Sequence, residues 1–292
     1  MNVLQILVLA AIQGLAELLP VSSSAHVVLA EKLMGFDPAS PDMTFLLVML
    51  HTGTMFSVIC YFWPRWKRLL APRGAIAQGG GGKAPVQHFL KMIILATACT
   101  GFLGLGLKVV IERVFLERLF GYPHGEIEHL FRNFPLIGGA LFCVGILIIL
   151  AGRFEKWARS TRLDAPSAIV IGIIQGIALP FRGFSRSGAT ISTALFCGIR
   201  RDLAEDFSFA LAVALTPPVI VLELVRLMKA SAASAAVATL LLPGMLGMVG
   251  SFLAGLVALA WLSSWLEKGR WQYFGYYCVV FSAVVFAASY LL

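Results

Sequence analysis

Gln13-Gly14-Leu15-Ala16-Glu17-Leu18-Leu19-Pro20-Val21-Ser22-Ser23-Ser24-Ala25-His26 puts a carboxylate, a proline and a serine run inside an apolar segment, and it is one half of a repeat. Ile12-Gln13-Gly14-Leu15-Ala16 returns 162 residues later as Ile174-Gln175-Gly176-Ile177-Ala178, and the turn Val21-Ser22-Ser23-Ser24-Ala25 is answered by Phe184-Ser185-Arg186-Ser187-Gly188. Pro, Gly and Ser in such clusters interrupt a helix and free backbone polar groups. At membrane depth that is tolerated only where protein or a watery cavity satisfies the freed groups. The spacing therefore predicts two re-entrant helix pairs, Met1 to Ala30 and Ala165 to Ile199, each dipping into the bilayer and returning.

The rest of the chain is membrane-like. Of its 292 residues 59% are apolar and 13% charged, with a net charge of +8, and mean hydropathy is +0.87. Soluble domains run at roughly 45–50% apolar and about 25% charged. These values exclude a secreted disulfide scaffold, a disordered chain and a typical cytosolic enzyme. A spanning helix needs about 20 mostly apolar residues. Six stretches approach that length: Met43 to Pro64, Phe89 to Leu107, Pro135 to Gly152, Phe207 to Val225, Leu240 to Leu262 and Trp271 to Leu292. Met1-Asn2-Val3 lacks a basic n-region, so the opening segment is expected to belong to the fold. Cys60, Cys99, Cys143, Cys197 and Cys278 lie in apolar stretches with no CxxC pair, and are expected to be small packing residues.

Each copy of the repeat precedes three spans, an odd number, so residues 165–292 are expected to lie upside down relative to residues 1–152. The expected fold is an all-α polytopic membrane protein, one integral domain over residues 1–292. It is an inverted-topology repeat in which each half is a re-entrant pair plus three transmembrane helices, and the two tips meet near the midplane. The linker 64–91 holds six basic residues, no acid and the run Gly79 to Gly82, which marks it as a flexible cytoplasmic loop. Loops on that side carry fourteen basic residues against seven opposite, which puts both termini outside. Trp63, Trp66, Trp261, Trp265, Trp271 and Tyr273 sit near span ends and fit an interfacial belt.

Polar residues inside these segments carry the chemistry. Gln13 and Glu17, four apart, share a helix face. A lone carboxylate at mid-membrane is a functional residue by default, or a partner for an intramembrane arginine, and the two roles are compatible. Ser22, Ser23 and Ser24 read as the capped start of a new helix, with Ser23 and His26 three apart as neighbours. His51, inside a span, reads as a packed or hydrogen-bonded histidine. In the second tip Arg182 and Arg186 each cost about 2.5–3.5 kcal/mol at a helix centre unless an anion stabilises them. Glu17 can neutralise one. The remaining charge, with Gly183, Ser185, Ser187 and Thr190 at a half-helix start, suits a phosphate held in the fork of an arginine. No Cys/His or acidic cluster has metal-ligand spacing.

The segment Gln13 to His26 resembles the (E/Q)xxxE stretch followed by LPVSSSGH of the bacterial undecaprenyl-diphosphate phosphatase family, linked with bacitracin resistance. Gly183-Phe184-Ser185-Arg186-Ser187-Gly188-Ala189-Thr190 resembles that family's PGxSRSGxT signature. The likeness extends over essentially the whole chain. Three positions depart from the usual pattern: Arg182 stands for proline, Ala25 for glycine, and Gln13 is the less common choice at its position. The resemblance implies hydrolysis of undecaprenyl diphosphate to undecaprenyl phosphate and inorganic phosphate, which recycles the lipid carrier for peptidoglycan and other envelope polymers. It implies Glu17, Ser23, His26 and Arg186 as the catalytic set, with Gln13, Ser185, Ser187 and Thr190 as supporting contacts; Ser22, Arg182 and Gly183 are further expected phosphate-binding residues from their place in the tips. No cofactor is expected to be tightly bound. Mg2+ or Ca2+ bridging the diphosphate is the expected ion, with Glu17 and Gln13 as its oxygen ligands.

The expected location is the bacterial inner membrane, with the site open to the periplasm. Expected partners are the substrate and membrane lipid, with no nucleic acid. Bacitracin competes for the substrate, not for the protein. The small residues from Gly244 to Gly255 would pack helices within one chain or between two, and so admit a homodimer. The alternative is a polyprenyl-phosphate flippase or anion-coupled carrier on the same scaffold. A carrier needs charge complementarity but no nucleophile, so the Ser-His-Arg-Glu set favours an enzyme. A type-2 phosphatidic-acid-phosphatase site would need a histidine soon after Ser185-Arg186, and every histidine precedes residue 130.

Overall fold

Polar caps and apolar interiors divide the chain into helices. Asn2 Oδ1 accepts the Gln5 N–H at 2.8 Å and Gln5 Oε1 accepts the Asn2 N–H at 2.9 Å, a reciprocal cap that starts α1 (Val3–Leu18). Four more helices follow: α2 (Ser23–Leu33), α3 (Pro41–Leu70), α4 (Ala84–Val110) and α5 (Phe134–Phe154), the last capped by Asn133. Asp164 then caps α6 (Ala165–Ala178), ahead of α7 (Arg186–Phe196), α8 (Arg201–Ala230), α9 (Ser234–Leu266) and α10 (Trp271–Leu291). The order short, short, long, long, long thus occurs twice. The computed structural model describes every residue except 39, 71–83, 114–132, 231–233, 267–269 and 292. Among the described residues strand pairing is limited to a single bridge between Ser160 and Ile199.

Six helices are long and apolar enough to cross a bilayer: Asp42–Lys67, Gln87–Arg113, Phe134–Trp157, Arg201–Leu222, Leu240–Leu262 and Trp271–Leu291. They coincide with the six expected spans, and the chain is a multi-pass membrane protein. Several boundaries shift by a few residues, and two of the shifts have a visible cause. α3 continues through Pro64 to Leu70, because Arg65 beyond the proline is held by the Asp206 carboxylate at 3.1 Å and the Asp202 carbonyl at 3.2 Å. α8 starts at Arg201, not at Phe207, because its acids Glu205 and Asp206 are buried among cations instead of lying in a loop. The linker 64–91 is accordingly helical at both ends, and residues 71–83 lie outside the described residues.

Lipid gives helices no hydrophobic reason to associate, so small residues that let backbones approach organise the packing. Gly14 of α1 faces Ala254 and Gly255 of α9, and its counterpart Gly176 of α6 faces Thr100, Leu103 and Gly104 of α4. α5 and α10 meet where Gly145 and Gly275 touch each other's helices. Gly53 of α3 lies against the Met248 carbonyl and Ser251 of α9. The small residues of α9 are used within the chain: Gly244 packs on Phe45 and Met49, Gly247 on Leu46 and Leu50, and Gly255 on Ser57.

Other expectations change. Trp271 is fully buried and donates its indole N–H to Ser192 Oγ at 3.2 Å, so it belongs to the core and not to the belt. Trp63, Trp261 and Tyr273 are exposed as a belt requires, while the Trp265 side chain lies outside the described residues. Of the cysteines, all free, only Cys278 is buried; Cys60 and Cys143 face outward.

A Cβ on Gly53 would overlap the Met248 carbonyl and Ser251 Oγ, whereas one on Gly101 meets nothing within 4 Å. Overpacking of this kind typically costs about 1–3 kcal/mol. Gly53→Val should lower the melting temperature of the purified protein by several degrees and Gly101→Val should leave it unchanged, read by thermal unfolding in one detergent.

Candidate active site

The break after α1 is what aims the first tip. Leu19 turns extended after Pro20's predecessor helix ends, and Ser22 adopts φ 67°, a left-handed conformation that non-glycine residues rarely hold. His26 keeps it there: its Nδ1–H donates to the Ser22 carbonyl at 2.8 Å. Ser22 is the residue before α2 but caps nothing with its side chain, and its hydroxyl lies 3.2 Å from Ser24 Oγ instead. The serine run is therefore not the expected side-chain cap.

In the second tip Gly183 adopts φ 96° and a Cβ there would overlap the Ile137 carbonyl, so both the turn and the close approach require glycine. Ser185 is a true cap, its Oγ accepting the Gly188 N–H at 3.2 Å. Arg186 is thereby the first residue of α7.

Three hydrogen bonds are among the contacts between the tips. Arg186 Nη2 donates to Glu17 Oε1 at 2.7 Å. The Gly183 N–H donates to Ser24 Oγ at 3.1 Å, and Ser187 Oγ donates to the Leu19 carbonyl at 3.5 Å. Glu17 is the hub. Its Oε2 accepts the Ser23 hydroxyl at 2.5 Å and the Gln13 amide N–H at 3.2 Å, and His51 Nε2 stands 3.7 Å away. The Glu17 and Arg186 side chains keep only 13% and 23% of their exposure, so this charge-assisted pair is largely shielded from water.

A cavity of about 260 Å3, counting its open mouth, lies beside the pair. Glu17, Arg186, His51, Thr54, Met55 and Thr216 are among the residues that line it. Ser23 joins through its bond to Glu17. Gln13 is fully buried, and its Oε1 has no protein partner; Gln175, its counterpart, is in the same state.

The expected residues thus divide. Glu17, Ser23, Gln13 and Arg186 are brought together. His26 is not beside Ser23's hydroxyl: its Nε2 pairs with the Tyr277 hydroxyl at 2.7 Å and its ring stacks on Phe281 at 4.0 Å. Thr190 Oγ is spent on the Arg186 carbonyl at 2.9 Å and on Ser208 Oγ at 2.6 Å, inside the packing of α7 on α8. Arg182 acts electrostatically on Glu31, an acid of α2 that is only 3% exposed. Glu31 was missed, as was His51 as a wall of the site. The signal for Glu31 was a second acid close to the first tip, with the second arginine of the other tip still in need of an anion. For His51 it was a titratable ring in a span.

The family model described as bacitracin resistance protein BacA matches residues 6–284. Undecaprenyl-diphosphatase 2 of Acinetobacter baylyi is 56% identical over 293 residues, covering 98% of this chain and 97% of its own length. An undecaprenyl-diphosphatase of Desulfatibacillum aliphaticivorans is 32% identical over 100% of both chains. One of Korarchaeum cryptofilum is 32% identical over 96% of this chain and 97% of its own.

Removing one partner of a buried ion pair typically costs about 3–5 kcal/mol, because the other charge is left uncompensated. Arg186→Met should therefore melt well below wild type, and adding Glu17→Gln to it should restore part of the loss. A double variant no more stable than Arg186→Met would mean the two charges are not coupled.

Proposed function

This chain belongs to the bacitracin resistance protein BacA family, and from that membership and the site geometry we infer that it hydrolyses undecaprenyl diphosphate to undecaprenyl phosphate and inorganic phosphate. The observation that carries the reading is the Glu17–Arg186 pair with Ser23 on the same carboxylate, at the wall of a cavity inside a membrane protein. Relatives named as diphosphatases lend no support to the carrier alternative.

The chemistry runs from the contacts. Arg186 holds the terminal phosphate by its guanidinium fork, whose free N–H groups match phosphate oxygens. Ser23 attacks in line: its Oγ–P bond forms as the bridging P–O bond breaks, and undecaprenyl phosphate leaves with the electron pair. The hydroxyl proton passes to Glu17 Oε2, 2.5 Å away, and from there to the leaving group. Water then attacks the phosphoserine, Glu17 takes a proton from it and returns one to Ser23 Oγ, and inorganic phosphate departs. Ser23 acts directly in this reading, and His26 braces the Ser22 turn that aims it.

Of the oxygens near a diphosphate, Gln13 Oε1 is without a partner but Glu17 is already taken by Arg186, Ser23 and Gln13. Among the described residues no group of three or more His, Cys, Asp or Glu could hold a metal ion. These donors do not fit a resident cation. Mg2+ or Ca2+ is proposed to arrive on the diphosphate itself, and no step above depends on it.

An inverted repeat with two re-entrant pairs is the proposed architecture. It is supported by the twofold order of helix lengths. It is supported also by Thr54 and Thr216, 162 residues apart like the two motifs, on the same cavity wall. The proposed setting is the inner membrane with the cavity open to the periplasm, where spent carrier emerges after polymer export.

Phosphate release from undecaprenyl diphosphate by the purified protein tests the reading. Glu17→Ala, Ser23→Ala and Arg186→Ala should each lose about 100-fold or more in kcat, the usual range for removing one transition-state contact. A folded wild type that releases no phosphate from this or shorter polyprenyl diphosphates would sink it.

A further inference from the structure

The two histidines near the first tip are wired oppositely. His26 donates from Nδ1 to the Ser22 carbonyl and can accept from the Tyr277 hydroxyl at Nε2, so the neutral ring satisfies both contacts. His51 also commits Nδ1–H to a carbonyl, that of Leu47 at 2.8 Å, but its Nε2 faces a second acceptor, Glu17 Oε2 at 3.7 Å. With Nδ1 committed to Leu47, Nε2 is the ring atom left without a hydrogen bond and turned toward an oxyanion. His51 lines the same cavity as Arg186, and its side chain keeps 36% of its exposure.

We propose that His51 is the imidazole of the phosphate site, its Nε2–H donating to a non-bridging oxygen of the terminal phosphate while Arg186 holds another. The proposal rests on the phosphatase reading and adds a residue to it. Glu17 and Arg186 cancel in charge, so a proton shared between His51 Nε2 and the incoming phosphate would supply the cavity's remaining positive charge. The charged groups facing His51 are Glu17 from α1 and Arg186 from α7. α8 contributes Ala212, Val213 and Thr216, and α9 has no charged residue between Leu240 and Leu262. From α4, His88 is engaged with the Leu163 carbonyl.

The test uses the full-length protein in detergent, with undecaprenyl diphosphate as substrate and inorganic phosphate as product inhibitor, across pH. His51→Ala should lose about 100-fold in kcat/KM and bind inorganic phosphate more weakly. His51→Gln, which keeps an N–H donor without the charge, should recover part of that loss and flatten the decline of activity as pH rises. The proposal is overturned if folded His51→Ala stays within threefold of wild type. It is overturned equally if activity falls while phosphate inhibition and the pH profile stay as in wild type, since a merely structural histidine would do that. A wild type without phosphate release would instead overturn the phosphatase reading, so the two failures are distinguishable.

Discussion

A carboxylate and a guanidinium, contributed by segments 169 residues apart, meet at 2.7 Å inside an apolar protein. Neither charge is tolerable alone in that environment, since each costs about 2.5–3.5 kcal/mol at a helix centre before local relaxation. The pairing therefore does two jobs. It stabilises two broken helix pairs against each other, and it leaves part of the arginine fork facing a cavity. A lysine would neutralise Glu17 equally well but present no second N–H plane to a phosphate.

For that contact to form, the tips must approach within hydrogen-bond distance, and small residues make this geometry available. Gly14 lets α1 lie on α9 and Gly176 lets α6 lie on α4. Both glycines follow directly on the repeated glutamines, so one short motif supplies the helix contact and, four residues after Gln13, the carboxylate. Gly183 then brings the second turn against α5. Strain in the first turn, at Ser22, is held by His26, whose ring is in turn fixed between Tyr277 and Phe281 of α10. Packing far from the phosphate thus reaches Ser23 through a chain of named contacts.

Much of this was legible in the sequence for a physical reason: bilayer thickness sets helix length, and a proline or charge inside an apolar run has few explanations. The six spans, the two breaks and the meeting of Glu17 with an arginine of the second tip follow from those constraints; that the arginine is Arg186 and not Arg182 does not. Side-chain direction does not. Ser23 and His26 are three apart on one helix, yet the hydroxyl turns to Glu17 of α1 and the ring to Tyr277 and Phe281 of α10. His51 is hydrogen-bonded as expected, to the Leu47 carbonyl, but its place on the cavity wall was not legible because the nearby Glu17 lies on another helix. Trp271 looked interfacial from its place at a span end, but Ser192 offers it a buried acceptor.

The far ends of the helices follow the same rule as the centre. Arg65, counted in the sequence as one of the basic residues that orient the chain, is held by Asp206 and by the Asp202 carbonyl, and Arg201 pairs with Glu155. Arg65 comes from the first half and Glu155 from the connector just after it, and their partners come from the second half. The chain is therefore joined across its repeat by ion pairs at two levels, one at the tips and one at the helix ends. Part of the positive charge that reads as an orientation signal is also a structural contact. The tip pair differs in one respect: it borders a cavity, so an anion can compete for its arginine. At the helix ends Arg65 is already shared between a carboxylate and a carbonyl. What sets the tip arginine apart is what else can reach its guanidinium, and not burial or the presence of an acidic partner.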